Sequence, residues 1–371
     1  MRIVYVLTTL AVGGAERQVI ALARRMRSRG HEVAFLVLFP RGEGDLHPGA
    51  GIEVFHLGMK RRLSFLLAGI WKGAVILRRL RPDLLHSHTC PANLVSRLLR
   101  LAVPKARLIA TIHNIYEGGG WRMLGYRVTD FLCQQTTAVS TAAWQRFLSL
   151  RAIRREKSRV VTNAIDLDEF RPNGERRTRM RRLMGVEGAF VWLAAGRIAA
   201  AKDYPNLMHA FALLAGDHEA ELWIAGRGEG ALQNELEALC AAEGISKHVR
   251  WLGQREDLVA LFDAADGFVL SSAWEGMPLV VAEAMAMQLP VVATNVGGVE
   301  ELTADLAWLV PAGDSAELAA AMLGLMALPA AERCEMGRRG RERMMHSFEI
   351  EGKAKEWEQL YGICVANKLA G

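Results

Sequence analysis

Two cations in the second half of the chain follow an apolar run and precede a helix-forming segment. Arg197 and Lys202 stand in a loop that opens with Gly196, directly after the predicted strand Phe190–Ala195. A guanidinium can make two parallel hydrogen bonds to a diphosphate, and a mobile ammonium can neutralise further negative charge. Two solvated surface cations are the alternative, but the position after a strand favours a diphosphate site.

A second loop could hold the same anion on the first turn of a helix. Within the segment Ser271–Met285, Gly276 permits a sharp turn and Pro278 stands where a helix would begin. The backbone N–H groups of Leu279 and Val280 would then be free to bind a phosphate at the positive end of the helix dipole. The alternative is an ordinary capped helix.

Two carboxylates, Glu275 and Glu283, belong to the same segment. A carboxylate beside a phosphate is repelled unless it binds hydroxyl groups, and ribose and hexose hydroxyls are such partners. A glycosidase pair needs carboxyl groups about 5–9.5 Å apart, whereas positions eight apart on a continuous helix are separated by about 12 Å. Because the chain bends between the two residues, the sequence does not fix their distance, and we do not favour a hydrolase.

Candidate residues in the first half also lie near the ends of predicted strands. Gly13 and Gly14 separate the first strand from a helix, which predicts either an anion-binding turn or a tight turn without a ligand. Their spacing does not match the Gly-x-Gly-x-x-Gly of a nicotinamide site. Of three histidines, His86, His88 and His113, at least one is expected to line a cleft. A metal trio is not favoured, because no acidic residue is spaced with them.

The elements that must position these residues alternate between short apolar runs and amphipathic helices, from Ile3 to Thr162 and again from Phe190 to Val310. This pattern predicts an α/β protein with two doubly wound, Rossmann-like parallel-sheet domains facing a cleft, with ligands beyond the carboxyl ends of the strands. We place the domains at residues 1–168 and 169–350. Residues 351–371 are expected to form a helix that crosses back to the first domain.

Asp166 and Asp168, at the boundary between the domains, have the spacing of an Asp-x-Asp metal-binding motif. Their position after Asn163-Ala164-Ile165 favours a turn and cap, not a manganese site.

The composition excludes a disordered tail and a small disulfide scaffold. The 371 residues are 51% hydrophobic, and the five cysteines have neither paired nor zinc-type spacing, which is typical of a reducing compartment. No signal peptide or membrane span is predicted, so we expect a cytoplasmic protein. The net charge of +6 combines +19 in residues 1–182 with −13 in residues 183–371. Nucleic acid and an anionic membrane are both candidate partners for the basic half.

The basic segment Lys60–Arg81 has two interpretations. Cations stand at both of its ends, and one helical face carries the apolar residues Leu63, Leu66, Leu67, Ile70, Ala74 and Leu77. That stripe favours an ordinary helix packed on the core. The positive charge leaves open a helix lying on an anionic leaflet, where each cation contributes about 1 kcal/mol.

Taken in order, these motifs resemble the retaining GT-B glycosyltransferases of the bacterial family GT4, over essentially the whole chain. The shared motifs are Gly13–Arg17, His86–His88, Thr111–His113, Asn163–Asp166, Gly196–Lys202, Glu275–Glu283, Pro290–Thr294 and Gly297-Gly298. The chain departs from the family at Ala164, where Gly is usual, and at Asp203, where Gly or Asn is commoner.

The resemblance implies a nucleotide-diphosphate-sugar donor, with a UDP-sugar favoured, held mainly by the second domain without a metal or other cofactor. It implies that Arg197 and Lys202 bind the diphosphate and that Glu283 holds the ribose. Glu275 would contact the transferred sugar, with His113 on its other side. The remaining implied donor contacts are Gly13, Gly14, Gln254, Arg255, Gly276, Met277, Pro278, Leu279 and Val280.

We therefore predict a hexosyl- or N-acetylhexosaminyltransferase that acts on a saccharide or lipid-linked saccharide in surface polysaccharide assembly. It would work in the cytoplasm, on the inner face of the plasma membrane, and nucleic acid is not expected as a partner. A nucleotide-sugar epimerase of the same fold and a non-catalytic nucleotide-sugar-binding protein are the alternatives. The sequence does not predict the donor sugar, the acceptor linkage or the oligomeric state.

Overall fold

The structure is a computed structural model that describes residues 1–42, 44–215, 219–228 and 230–366. The chain divides into two compact units. Unit 1 comprises Met1–Ala164 together with the segment that starts at Ile350, and unit 2 comprises Ile165–Glu349. The first boundary thus follows Ala164 instead of Asp168. The C-terminal helix belongs to unit 1, and residues 367–371 of the segment predicted for it lie outside the described residues.

Unit 1 is built on a seven-stranded parallel sheet with the strand order β3-β2-β1-β4-β5-β6-β7. Its strands are Arg2–Leu7 (β1), Glu32–Val37 (β2), Glu53–His56 (β3), Leu84–His88 (β4), Arg107–Ile112 (β5), Gln135–Ala138 (β6) and Ser158–Val160 (β7). Its helices are Gly14–Ser28 (α1), Leu63–Leu80 (α2), Cys90–Arg100 (α3), Gly120–Thr129 (α4), Thr141–Ser149 (α5) and, last in the chain, Ile350–Ala366 (α14).

The unit 1 sheet is covered on both faces. The strands run outward from β1 in both directions, so right-handed crossovers place α1 on one face and α2 to α5 on the other. Helix α14 packs with α1, and Tyr5 and Trp357 share the core of that face. Val6 and Leu77 belong to the core of the opposite face. Central strands such as β1 and β2, which pair from Arg2 opposite Glu32 onward, are therefore apolar on both sides.

Unit 2 repeats this design with a six-stranded parallel sheet of order β10-β9-β8-β11-β12-β13. Its strands are Phe190–Ala195 (β8), Ala220–Ala225 (β9), Val249–Gly253 (β10), Gly267–Leu270 (β11), Val291–Thr294 (β12) and Trp308–Val310 (β13). Its helices are Gly174–Met184 (α6), Tyr204–Ala215 (α7), Ala231–Ala242 (α8), Leu258–Ala264 (α9), Leu279–Ala286 (α10), Val299–Thr303 (α11), Ser315–Ala327 (α12) and Ala330–Ser347 (α13). The predicted pair of doubly wound parallel sheets is confirmed.

Helix α2 corrects one prediction. The interpretation of its apolar stripe as a core-packing face is wrong for Leu63, Leu66 and Leu67, which are exposed. The residues that α2 buries are Gly69, Gly73 and Leu77. Gly69 packs against Met59, and Gly73 packs against Leu57 and Leu99. The inner face of α2 is therefore formed by small residues, and its large apolar side chains lie on the outer face.

Among the described residues, no single helix is long and apolar enough to cross a membrane. Helices α12 and α13 meet the length and composition requirement only as a pair, and that pair is bent by 111°.

Candidate functional site

The carboxyl edge of the unit 2 sheet brings the predicted diphosphate-binding loops together. The chain passes from β8 to β9 on one side of the sheet and from β11 to β12 on the other, so the crevice between β8 and β11 is a topological switch point. Open α/β sheets bind their ligands at such points. The loop Gly196–Asp203 follows β8, and the loop Ser271–Pro278 follows β11.

An ion pair joins these two loops. Lys202 Nζ donates to Glu275 Oε1 at 2.7 Å, and Ser272 Oγ donates to the same oxygen at 2.8 Å. The Lys202 and Glu275 side chains are only 19% and 11% exposed. The backbones also meet, because the Ala273 N–H donates to the Ala201 carbonyl at 2.9 Å. Ser272 was not predicted as a site residue, and its place in the motif was the only signal that could have identified it.

The Lys202 side chain folds over Gly196, which has a φ of +148°. A Cβ at Gly196 would lie 2.9 Å from Lys202 Cε, so another residue there would strain the backbone and displace the Lys202 side chain. The neighbouring Arg197 is exposed, and its guanidinium makes no hydrogen bond or ion pair with any described residue. Asp203 adopts the left-handed conformation with φ 45° and ψ 51°, which gives a physical reason why Gly or Asn is commoner there.

Helix α10 presents its N-terminus at the same edge, with Pro278 as the N-cap. The Val281 N–H bonds back to the Pro278 carbonyl at 3.2 Å. The N–H groups of Leu279 and Val280 have no hydrogen-bond partner in the described part of the chain, so they can bind an anion with the help of the helix dipole.

Two glycines after β12 fix the backbone around Glu275. The Gly298 N–H donates to the Gly276 carbonyl at 2.7 Å. Gly297 has a φ of +59°, and a Cβ there would clash with the Glu275 carbonyl oxygen. The glycine pair therefore has a steric role in shaping the loop that carries Glu275.

The other predicted donor contacts of unit 2 lie on this edge at different depths. Glu283 and Met277 are buried within and just before α10. Gln254 and Arg255 follow β10, which is separated from β8 by β9, and they therefore lie farther along the edge. Arg255 makes two hydrogen bonds to Asp257, of 2.8 and 2.7 Å.

Unit 1 has its own switch point, between β1 and β4. Gly13 and Gly14 lie between β1 and α1, with Gly13 as the helix N-cap. A hydrogen bond of 2.9 Å between Thr8 Oγ1 and Thr89 Oγ1 ties the segments that follow β1 and β4. Gly13 and His113 both belong to unit 1, in the segments that follow β1 and β5.

The three histidines form one buried network in unit 1. His88 Nδ1 lies 2.9 Å from His113 Nε2, while the His86 ring bonds to the Tyr361 hydroxyl at 2.7 Å and to Thr111 Oγ1 at 2.8 Å. Burial lowers the pKa of all three rings, that of His113 to about 4. They are therefore neutral at neutral pH and act as hydrogen-bonding groups.

The sequence suggested that His86 and His88 flank Ser87 in a loop at a strand end, but all three residues lie within β4. No group of three His, Cys, Asp or Glu side chains among the described residues is arranged to hold a metal ion. Asp166 Oδ1 accepts a hydrogen bond from the Asp168 N–H at 3.1 Å, which confirms the predicted turn.

A cavity of about 430 Å³ lies near His113 in unit 1, between α4 and α5. It is lined by Ile115, Tyr116, Glu117, the glycines 118–120, Met123, Leu124, Arg127, Arg146, Phe147 and Leu150. Glu117 accepts hydrogen bonds from the His113 N–H at 2.8 Å and from the Tyr126 hydroxyl at 3.0 Å. Burial raises the pKa of Glu117 to about 7. The cavity combines an apolar wall with two arginines, and neither Glu117 nor the arginines were predicted from the sequence.

Two family models match the chain, namely "Glycosyltransferase Family 4" over residues 12–169 and "Glycosyl transferases group 1" over residues 189–327. An uncharacterised glycosyltransferase of Methanocaldococcus jannaschii is 27% identical over 315 residues, which is 78% of this chain and 79% of the relative. The UDP-Gal:alpha-D-GlcNAc-diphosphoundecaprenol alpha-1,3-galactosyltransferase of Escherichia coli is 23% identical over 235 residues, 60% of each chain.

Among solved structures, Anabaena HepE in complex with UDP superposes with a TM-score of 0.85 at 22% identity. The match covers 98% of this chain and 100% of the other. The likeness therefore extends over both parallel-sheet units.

Proposed function

The chain belongs to the GT4-type glycosyltransferases and has the GT-B fold, and we propose that it transfers a hexose or N-acetylhexosamine, with retention of configuration, from a nucleotide-diphosphate sugar. A UDP-sugar is the preferred donor of this proposal. The observation that supports it is that the loop carrying Arg197 and Lys202 meets the loop leading into α10 at the switch point of unit 2, through the ion pair between Lys202 and Glu275.

These groups suit the departure of a diphosphate. When the bond from the anomeric carbon to the diphosphate oxygen breaks, negative charge builds up on the leaving group. Two cations and two free backbone N–H groups placed beforehand at that position stabilise the charge without reorganisation. In this proposal they fill the role that a divalent metal has in other transferases.

The surroundings of Glu275 support a direct transfer to the acceptor. Its carboxylate is held by Lys202 and Ser272, which suits a group that positions the sugar hydroxyls better than a nucleophile. We therefore propose that the acceptor hydroxyl attacks from the side of the leaving group. The new C–O bond forms as the diphosphate leaves, and the hydroxyl proton passes to the diphosphate.

For the acceptor we propose a lipid-linked saccharide that engages unit 1. The name of the Escherichia coli relative specifies a sugar on diphosphoundecaprenol. In this chain, the cavity beside His113 offers Arg127 and Arg146 for a phosphate group and an apolar wall for the first part of a lipid. The neutral His113 ring would bond to a sugar hydroxyl. An acceptor of this kind would place the enzyme on the inner face of the plasma membrane, in surface polysaccharide assembly.

The test is turnover of nucleotide sugars by the purified protein, with and without saccharide acceptors. We expect release of nucleotide diphosphate that depends on the acceptor. Lys202→Gln keeps a hydrogen-bonding group near Glu275 but removes the charge, and it should lower kcat by about 10²–10³-fold. Lys247→Gln, which removes an exposed cation of the same unit, should have no effect.

Unchanged kinetics in Lys202→Gln would remove the diphosphate site from the proposal. An isomerised donor formed without acceptor would indicate an epimerase. Donor binding without any turnover would indicate a non-catalytic binding protein.

A further inference from the structure

Exposed apolar side chains are concentrated on one face of unit 1. Of the 18 large hydrophobic residues that are exposed among the described residues, 12 lie on or directly after α2, α3 and α4. They are Leu63, Phe65, Leu66, Leu67, Trp71, Val75, Leu98, Leu101, Trp121, Leu124, Val128 and Phe131. We call this set the α2–α4 face. Trp71 and Trp121 are 71% and 86% exposed. Such exposure of the largest side chains is rare on the surface of a soluble protein.

The three helices are neighbours, so the set forms one surface. Helix α2 packs on α3 through Gly73, where a Cβ would lie 3.0 Å from the Leu99 side chain. Helix α3 packs on α4 through Leu94, which would lie 3.2 Å from a Cβ at Gly125. All three cover the same side of the sheet, as the direction of their crossovers requires.

The exposed positions on each helix follow helical spacing. On α2 they include residues 63, 67, 71 and 75, and on α4 they are residues 121, 124 and 128. Each set forms a stripe along one side of its helix, opposite the buried residues such as Gly73 and Met123.

Exposed cations border this apolar surface. All seven Lys and Arg side chains of residues 60–81 are exposed, and that segment contains no acidic residue. Lys105, Arg122 and Arg127 are exposed as well, whereas Arg97 of α3 is buried and does not contribute to the border. Lys60 also lies over the Phe65 ring, with Nζ 5.0 Å from the centroid. An apolar centre with a cationic border is complementary to a bilayer in which acyl chains lie below anionic phosphates.

We propose that the α2–α4 face docks on an anionic lipid bilayer, with Trp71 and Trp121 inserted at the level of the headgroups. A second copy of the chain is a poorer partner, because self-pairing of this face would bring two cationic borders together. The inference rests on the proposed function and deepens it, since Leu124 belongs both to this face and to the wall of the cavity proposed for the acceptor. Docking would place that wall of the cavity next to the lipid.

The experiment is sedimentation with vesicles of phosphatidylcholine, alone or mixed with phosphatidylglycerol. We expect the wild-type protein to bind the mixed vesicles strongly and the neutral ones weakly. The double variant W71S/W121S should lose binding by at least about tenfold. R61S/R62S should lose about fivefold per charge at low salt, on the anionic vesicles only. The control L183S/L213S removes two exposed leucines of unit 2 and should bind like the wild type.

Equal binding of W71S/W121S and wild type, or no binding of the wild type to anionic vesicles, would overturn the docking surface. A wild-type dimer detected by light scattering and abolished in W71S/W121S would also overturn the proposal, because a second copy of the chain would then occupy the face. Turnover with a water-soluble acceptor separates this proposal from the proposed function. W71S/W121S should keep that turnover. If the wild type binds vesicles but shows no turnover, the docking proposal stands and the proposed transferase activity is rejected.

Discussion

Units 1 and 2 share a doubly wound architecture but differ in charge and in the chemistry of their switch points. The residues of unit 1, 1–164 and 350–371, carry 29 Lys and Arg against 12 Asp and Glu, a net of +17. Unit 2 carries 17 against 28, a net of −11. The acidic unit nevertheless holds the cations proposed to bind the diphosphate. Local placement at the sheet edge, and not net charge, thus decides where an anion is expected to bind.

The two switch points are built from different groups. In unit 1, neutral histidines are linked to one another and to hydroxyl groups by hydrogen bonds. In unit 2, Lys202 and Glu275 form a nearly buried ion pair, and the adjoining loops, residues 196–203 and 271–278, contain no histidine. A neutral network suits hydroxyl recognition, whereas charges suit a leaving diphosphate. In the proposed reaction, unit 1 would therefore contribute neutral hydrogen-bonding groups and unit 2 would contribute charged ones.

Acid should destabilise unit 1 before unit 2, because the buried histidines lie in unit 1. Burial holds the pKa of His86, His88 and His113 below the value of 6.5 that these rings regain on unfolding. Their contribution to stability is present above pH 6.5 and is lost as the pH falls toward 4 and below. For His113 alone, a pKa of about 4 corresponds to at most about 3 kcal/mol. Pulsed hydrogen exchange after incubation at pH 4.5 should show unit 1 opening before unit 2.

The matched variants are His88→Gln, which should reduce the loss of unit 1 stability in acid, and His209→Gln, an exposed histidine of unit 2, which should not. Opening of unit 2 first would contradict the assignment of acid sensitivity to the histidine network.

Glu117 should make the stability of unit 1 depend on pH in the opposite direction. Burial raises its pKa from 4.5 to about 7, so the stability it contributes is complete below pH 4.5 and is lost as the pH rises to 7. The corresponding change in the free energy of unfolding is at most about 3 kcal/mol. Glu117 is partly exposed, and solvent screening reduces the change below that limit. Urea unfolding of wild type and Glu117→Gln should therefore show the variant gaining relative stability between pH 4.5 and 7. A constant difference over that range would contradict a raised pKa.

Gly297 should show how far the unit 2 site depends on backbone shape. The Cβ of Gly297→Ala would clash with the Glu275 carbonyl, and the backbone there has a φ of +59°. The matched control is Gly313→Ala, where φ is +75° but no atom lies within 4 Å of the new Cβ. The left-handed conformation alone costs roughly 1–2 kcal/mol, so thermal unfolding should show both variants destabilised and Gly297→Ala more so. Only Gly297→Ala should lose turnover. Equal effects would mean that the contact with Glu275 is unimportant.

The sequence was most informative where local chemistry determines local structure. Alternating apolar runs predicted both sheets, and Pro278 predicted the start of α10 at Leu279. The loops that follow β8 and β11 were identified because a strand, a turn residue and a charged side chain stand next to each other in the chain.

Contacts between distant segments could not be predicted in the same way. The bond from Ser272 to Glu275 and the cavity around Glu117 depend on how loops from different strands meet. Periodicity alone also left the orientation of α2 open, because it does not show that Gly69 and Gly73 pack inward. The short edge strand β3 was missed because its residues are only partly buried.

The last helix has a consequence for how the protein is made. Tyr361 and Trp357 of α14 complete the core of unit 1 beside Tyr5 and His86. The ribosome therefore finishes the earliest-synthesised unit only after all of unit 2 has emerged. Until then α1 alone covers that face of the nascent amino-terminal sheet, so premature termination before Ile350 would leave Tyr5 and His86 without the side chains that pack against them.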